Sequence, residues 1–192
     1  MAKSRTRERR QVRQQTGRSR SLIVGGIAAA VVVVAAVAIL LINQSQQPDV
    51  DVNAVADTTV TYPNQGQEHI VEGAPHVDYN SNPPTSGPHY ATPIRAGVYQ
   101  QEVPDELLVH NLEHGHIWLS YQNADDSATI DQLSAIQAQF PQWVVVTYRP
   151  ENDTPVAVAA WTRLLTLDQA DPDEILAFIV RYRNRAPESI AG

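Results

Sequence analysis

The stretch His116–Tyr148, HIWLSYQNADDSATIDQLSAIQAQFPQWVVVTY, decides the fold. It opens on HIWLSY (116–121) and closes on WVVVTY (143–148), short apolar runs whose β-branched and aromatic content marks strands. Between them, Ile130, Leu133, Ile136 and Phe140 recur at helical spacing within Ser127–Phe140 and predict a helix with one apolar stripe. Downstream, after the turn-like Pro150-Glu151-Asn152-Asp153-Thr154, Val156–Leu167 begins as a further strand. Pro172-Asp173-Glu174 starts a last helix, with Ile175, Ile179 and Tyr182 turned inward. Upstream, Pro104-Asp105-Glu106 places proline and acids in a first helical turn, and the short helix runs to His114, where Gly115 supplies the left-handed stop. This order of elements predicts an α+β domain, a two-layer α/β arrangement in which a small mixed sheet carries about three helices.

The segment from Tyr62 to Glu102 has neither period. It is rich in proline and glycine and about 40 residues long, and irregular stretches of that length inside a compact domain tend to be functional. Apolar side chains are scarce in it, so polar anchors are expected to tie it to the core.

Towards the N-terminus the character changes completely. Leu22–Ile42, LIVGGIAAAVVVVAAVAILLI, has no charge. As a helix it would span about 31 Å, the thickness of a hydrocarbon core. It is too long for the apolar region of a signal peptide, and no small-residue cleavage site follows it. Eight of the fourteen Lys and Arg precede it, whereas twenty of the twenty-one acids lie outside that tail. The positive-inside rule therefore predicts a single-pass protein of the cell membrane with a cytoplasmic N-terminus and its acidic domain outside. The expected organisation is a basic tail (1–21) against anionic lipid headgroups, a transmembrane helix (22–42) in the bilayer, a stalk (43–61) and an extracytoplasmic domain (62–192). A net negative domain excludes a nucleic-acid partner. A protein partner is not readable.

The chain has no cysteine, and its one methionine is Met1, so sulfur ligation of a metal is excluded. All six histidines fall between His69 and His116. A thiol-free, imidazole-rich region with a neighbouring Glu113 suits a divalent ion, zinc or copper. His110 and His114 are four apart on the short helix and project from one face. The candidate metal ligands are His110, His114, His89, His69, His76 and Glu113. His110-Asn111-Leu112-Glu113-His114 also fits H-x-x-E-H, in which two histidines bind zinc and the glutamate activates water. In Pro83-Pro84-Thr85-Ser86-Gly87-Pro88-His89, Thr85 and Ser86 read as turn residues rather than nucleophiles, because no G-x-S-x-G elbow is present.

Gly66-Gln67-Glu68-His69, PPTSGPH (83–89), Gly97-Val98-Tyr99 and VHNLEHGHIWLSY (109–121) resemble domain of unknown function 3105, a family of bacterial, mostly membrane-anchored proteins. AAWTRLL (159–165) and RNRAPE (183–188) resemble its C-terminal half, so the likeness covers about 62–190. The resemblance places His69, His89, His110, Asn111, Glu113, His114 and Gly115 on motif positions and implies no particular reaction, substrate or cofactor. Together these readings point to a His-rich metal- or ligand-binding module rather than an enzyme. The alternatives are a partner-binding envelope domain without metal and a metal-dependent hydrolase using the H-x-x-E-H residues.

Overall fold

The computed structural model describes residues 50–189. The expected membrane span, the basic tail and the start of the expected stalk lie outside these residues. Among the described ones, no helix is long and apolar enough to cross a membrane. The elements in chain order are β1 (Val60–Thr61), β2 (His69–Ile70), β3 (His89–Tyr90), β4 (Gly97–Tyr99), α1 (Asp105–Glu113), β5 (Ile117–Tyr121), α2 (Ser127–Gln139), β6 (Val144–Tyr148), β7 (Val156–Ala160), β8 (Arg163–Leu167) and α3 (Pro172–Tyr182).

Six strands make one mixed sheet, ordered β1-β8-β7-β5-β6-β4. β4 and β5 both run parallel to β6, while β5, β7, β8 and β1 are joined antiparallel. α2 is the crossover that parallel neighbours β5 and β6 require. Its start is set by Asp126, whose carboxylate accepts the Thr129 N–H at 3.1 Å. α3 starts the same way, with Asp171 accepting from the Asp173 and Glu174 amides and Pro172 in the first turn.

The mixed sheet and three helices follow the α+β expectation, but the domain has three layers rather than two. Ile117, Leu119, Tyr121, Val144, Val146, Val156 and Val158 pack on one face with Leu133, Ile136, Ile175, Phe178 and Ile179 of α2 and α3. Trp118, Val145, Ala157 and Ala159 face the other way, under Leu108, Val109 and Leu112 of α1. Strands buried on both faces read as continuous apolar runs. WVVVTY is such a run, and its uniformity, rather than an alternation, was the sign of a second cover. Tyr62, Tyr79, Ile94 and Tyr99 of the irregular segment complete that cover beside α1.

The expected stalk belongs to the folded unit from Val50 onwards. Val50 packs against the α2–α3 face, and the Arg181 guanidinium donates to the carbonyls of Val52 and Val55. The Tyr182 hydroxyl donates to Asp57 at 2.6 Å, and β1 closes the sheet edge on β8. Val156–Leu167 is a tight hairpin of two strands with Trp161 and Thr162 at its turn.

At the other end of the molecule, Arg149 leaves β6 buried. Its guanidinium makes a bidentate pair with Asp105 at 2.9 and 2.8 Å, donates to Asn82 at 2.6 Å, and lies over the Trp118 ring. One side chain thus ties the start of α1, the irregular segment and the sheet together.

The end of α1 is as tightly specified. The Gly115 N–H donates to the Leu112 carbonyl at 2.9 Å and the His116 N–H to the Asn111 carbonyl at 3.0 Å, a Schellman ending. Gly115 has φ +83°, and a Cβ there would stand 2.7 Å from Cα of Asn184. Gly115→Ala is expected to cost about 2–4 kcal/mol, beyond the roughly 1 kcal/mol of the left-handed conformation alone, because backbone must move. Denaturant unfolding measures it; a loss under 1 kcal/mol contradicts the contact.

Candidate metal centre

The three aliphatic side chains of α1 that point at the sheet leave its polar ones, His110, Asn111 and Glu113, facing the irregular segment. All three are buried, with exposures of 4, 0 and 1 %. Burying a carboxylate without partners is costly, so the segment opposite must supply them. It does so through β2 and β3, which run parallel with His69 directly across from His89. Two backbone hydrogen bonds, from the Gly87 amide to Gly66 and from the His89 amide to Glu68, hold this pairing. PPTSGPH is buried throughout: the Thr85 carbonyl accepts the Thr162 N–H at 2.9 Å, and Ser86 Oγ accepts the Gln65 N–H at 3.1 Å. Both bonds tie this stretch to distant backbone instead of capping a local turn.

The result is a compact donor group. One ligand atom from each of His69, His89, His110 and Glu113 lies within 4.8 Å of the others. Glu113 Oε2 stands 3.0 Å from His89 Nε2 and 3.4 Å from His69 Nε2, while Oε1 accepts from Gln67 Nε2 at 2.7 Å. The His110 ring stacks on His69 with centroids 5.0 Å apart.

Hydrogen bonding on the far side of two rings decides which nitrogens are free. His89 Nδ1 lies 2.7 Å from the Gly87 carbonyl, and His110 Nδ1 lies 2.7 Å from the Tyr90 carbonyl. A carbonyl only accepts, so each Nδ1 carries the proton and donates it. In the neutral rings this leaves Nε2 as the one lone pair of each, facing Glu113 for His89 and His114 for His110, and carbonyl partners orient metal-bound histidines in the same way. His89 Nε2 meets the Glu113 carboxylate at 3.0 Å, so either an Nε2 proton or a metal ion stands between them.

The electrostatics reflect the same contacts. Burial raises the Glu113 carboxyl's pKa, but Gln67, His89 and His69 outweigh it and leave it below the usual carboxylate value. His110 is pushed down chiefly by burial and further by His114, His89 and His69, against the Tyr90 carbonyl. His116 is lowered by burial and by His114. At neutral pH the cluster therefore presents an ionised carboxylate and a neutral His110, the forms that ligate.

The other expected ligands are placed differently. His114 lies at the rim, partly exposed, with Nε2 2.8 Å from His110 Nε2. His76 is not in the group: it pairs with Glu106 at 3.4 Å and lines a cavity of about 610 Å³ by the start of α1. A proline-fixed loop carries it away from β2, and sequence spacing held no sign of that. Glu113, which H-x-x-E-H would make a base beside the ion, is one of the donors themselves.

Two contributors lie outside the candidate ligands. Gln67 positions the carboxylate, and its only sequence signal is its place in the Gly66–His69 motif. Asn111 is the main tie between α1 and the segment: its Oδ1 accepts the Ile94 N–H at 3.0 Å and its Nδ2 donates to the Ile94 carbonyl at 2.8 Å. Asn111→Leu, similar in volume, leaves both backbone groups of Ile94 without that partner. It should cost about 2–4 kcal/mol in denaturant unfolding and speed amide exchange at Ile94; unchanged exchange contradicts the tie.

The family model described as Protein of unknown function (DUF3105) matches residues 70–191, a span that contains His89, His110, Glu113 and His114 and begins one residue after His69. No curated protein and no solved structure matches the chain. With well over half of its length matched, the protein belongs to the DUF3105 family.

Proposed function

We propose that the domain binds one divalent transition-metal ion, zinc or copper, through His69, His89, His110 and Glu113, at the outer face of a membrane in which residues 22–42 anchor it. One observation carries the metal reading. Three imidazoles and a carboxylate, two from the 40-residue irregular segment and two from α1, converge within 4.8 Å, with the Nδ1 positions of His89 and His110 already committed to carbonyls. Bonds near 2.0–2.1 Å and N/O donors without sulfur suit Zn²⁺ or Cu²⁺. Holding such an ion is binding chemistry, and no catalytic residue is assigned.

The test is thermal melting of the tag-free full-length chain with and without Zn²⁺ or Cu²⁺. At about a hundredfold excess over Kd, a single site should raise Tm by roughly 5 °C or more. His89→Ala and His110→Ala should remove the rise. No stabilisation by either ion overturns the proposal and leaves Gln67, Glu113 and His89 as a hydrogen-bonded brace in a partner-binding envelope domain.

The placement rests on charge. The basic tail lies against anionic headgroups on the cytoplasmic side and the acidic domain faces outward. Protease added outside intact cells stripped of any outer barrier should remove the domain and spare the tail. A protected C-terminus sinks the topology.

A further inference from the structure

We infer that His69 is the exchangeable ligand of this site: His89, His110 and Glu113 hold the ion, and the position of His69 opens to an imidazole group from outside. The inference rests on the metal-binding reading above and deepens it by naming the ligand class that the bound ion accepts.

How each donor is held carries the argument. His89 Nδ1 is bonded to the Gly87 carbonyl, His110 Nδ1 to the Tyr90 carbonyl, and Glu113 Oε1 to the Gln67 amide. Each of these three therefore has a bond to a group that is not a donor, and that bond fixes its direction. Among the described residues, the polar side-chain contact of His69 is Glu113 alone, at 3.4 Å, longer than an ordinary hydrogen bond. Burial divides the donors in the same way. His89, Glu113 and His110 have exposures of 0, 1 and 4 %, whereas the His69 side chain is 43 % exposed.

The backbone beneath them repeats the division. His110 and Glu113 stand on α1, and His89 ends the buried PPTSGPH stretch that the Thr162 amide ties to the β7–β8 turn. His69 stands on β2, two residues long, outside the six-stranded sheet and paired with β3 alone. So short a strand has little stability of its own and opens locally at low cost. Turning His69 out leaves two histidines and a carboxylate, a set that on zinc keeps one position for an outside ligand.

The walls of that position name the ligand. The His69 ring lies within 13° of parallel to the His110 ring, with centroids 5.0 Å apart. It meets the His89 ring edgewise, at 74° and 4.9 Å. Between a stacked face and an edge, a flat ring with a nitrogen donor reproduces the contacts that His69 makes, and a branched oxyanion does not. The ligand class is therefore imidazole, as a small molecule or as a histidine of another protein.

Visible ligand-field absorption of the tag-free full-length chain, loaded with Co²⁺ in place of Zn²⁺ or with Cu²⁺, reads the exchange. Imidazole should shift the wild-type bands saturably with the ion retained, and inorganic phosphate at the same concentration should not. His69→Ala should hold the ion within about tenfold of the wild-type affinity, whereas His89→Ala and Glu113→Gln should lose about a hundredfold or more. His69→Ala should also take imidazole about tenfold more tightly, because no ring has to leave first. A short peptide with one histidine separates the two sources. A shift with peptide and imidazole assigns the position to a protein side chain, a shift with imidazole alone to a small molecule, and either supports the exchange. Wild-type bands that imidazole leaves unmoved, an equal shift with phosphate, or His69→Ala as damaging as His89→Ala overturns the inference and leaves the proposed function standing. Uptake of no ion overturns both.

Discussion

A carboxylate with 1 % exposure sits on the last turn of α1, and the polar half of this domain is arranged around it. Glu113 has nowhere to be solvated, and leaving such a charge without partners would cost several kcal/mol. Its partners come from chain that has no regular structure of its own: Gln67 and His69 from one side of the long segment, His89 from the other. The two-residue strands β2 and β3 are too short to persist alone. They exist because pairing them brings His69 and His89 to the same carboxylate. The buried charge, usually a liability, here gives the segment a reason to adopt one path.

The two faces of the sheet consequently do different work. On one, aliphatic and aromatic side chains of α2 and α3 make a continuous core in the ordinary way, and hydrophobic burial is enough. On the other, α1 brings only Leu108, Val109 and Leu112 to the sheet, and the irregular segment adds Tyr62, Tyr79, Ile94 and Tyr99. That side is held by directional bonds: Asn111 to Ile94, Arg149 to Asp105 and Asn82, and the Glu113 cluster. Directional bonds fix atoms to within tenths of an ångström, which apolar packing of a loop would not do. A donor group needs that precision.

Regular elements were legible where their period was. β5, α2, β6 and α3 stand within a residue or two of the ranges that apolar spacing and caps indicated. β1 and β4 were missed because two- and three-residue strands have no measurable period; they are strands only through their partners β8 and β6. The end of the stalk is illegible for the same reason, since Val52, Val55 and Asp57 are ordinary residues until Arg181 and Tyr182 are placed beside them. The third layer was written in the mostly apolar WVVVTY but needed α1 on the sheet to be seen.

Sequence by itself settled which chemistry is available. Without cysteine, and with its histidines gathered in one window beside Glu113, the chain could offer an ion nitrogen and oxygen donors but no thiolate. It also determined that His110 and His114 share a face, because helical spacing is local geometry. Tertiary structure decided the rest. Whether His69 or His76 joins the group depends on how a proline-rich segment folds over α1, and the pairing of His69 with His89 across twenty residues brings His69 to Glu113 while His76 is left beside Glu106. Ring orientation was likewise beyond the sequence, since it is two backbone carbonyls, of Gly87 and Tyr90, that turn the nitrogens of His89 and His110 towards Glu113 and His114. Backbone carbonyls are the same at every residue, so only the folded path determines which of them a side chain meets.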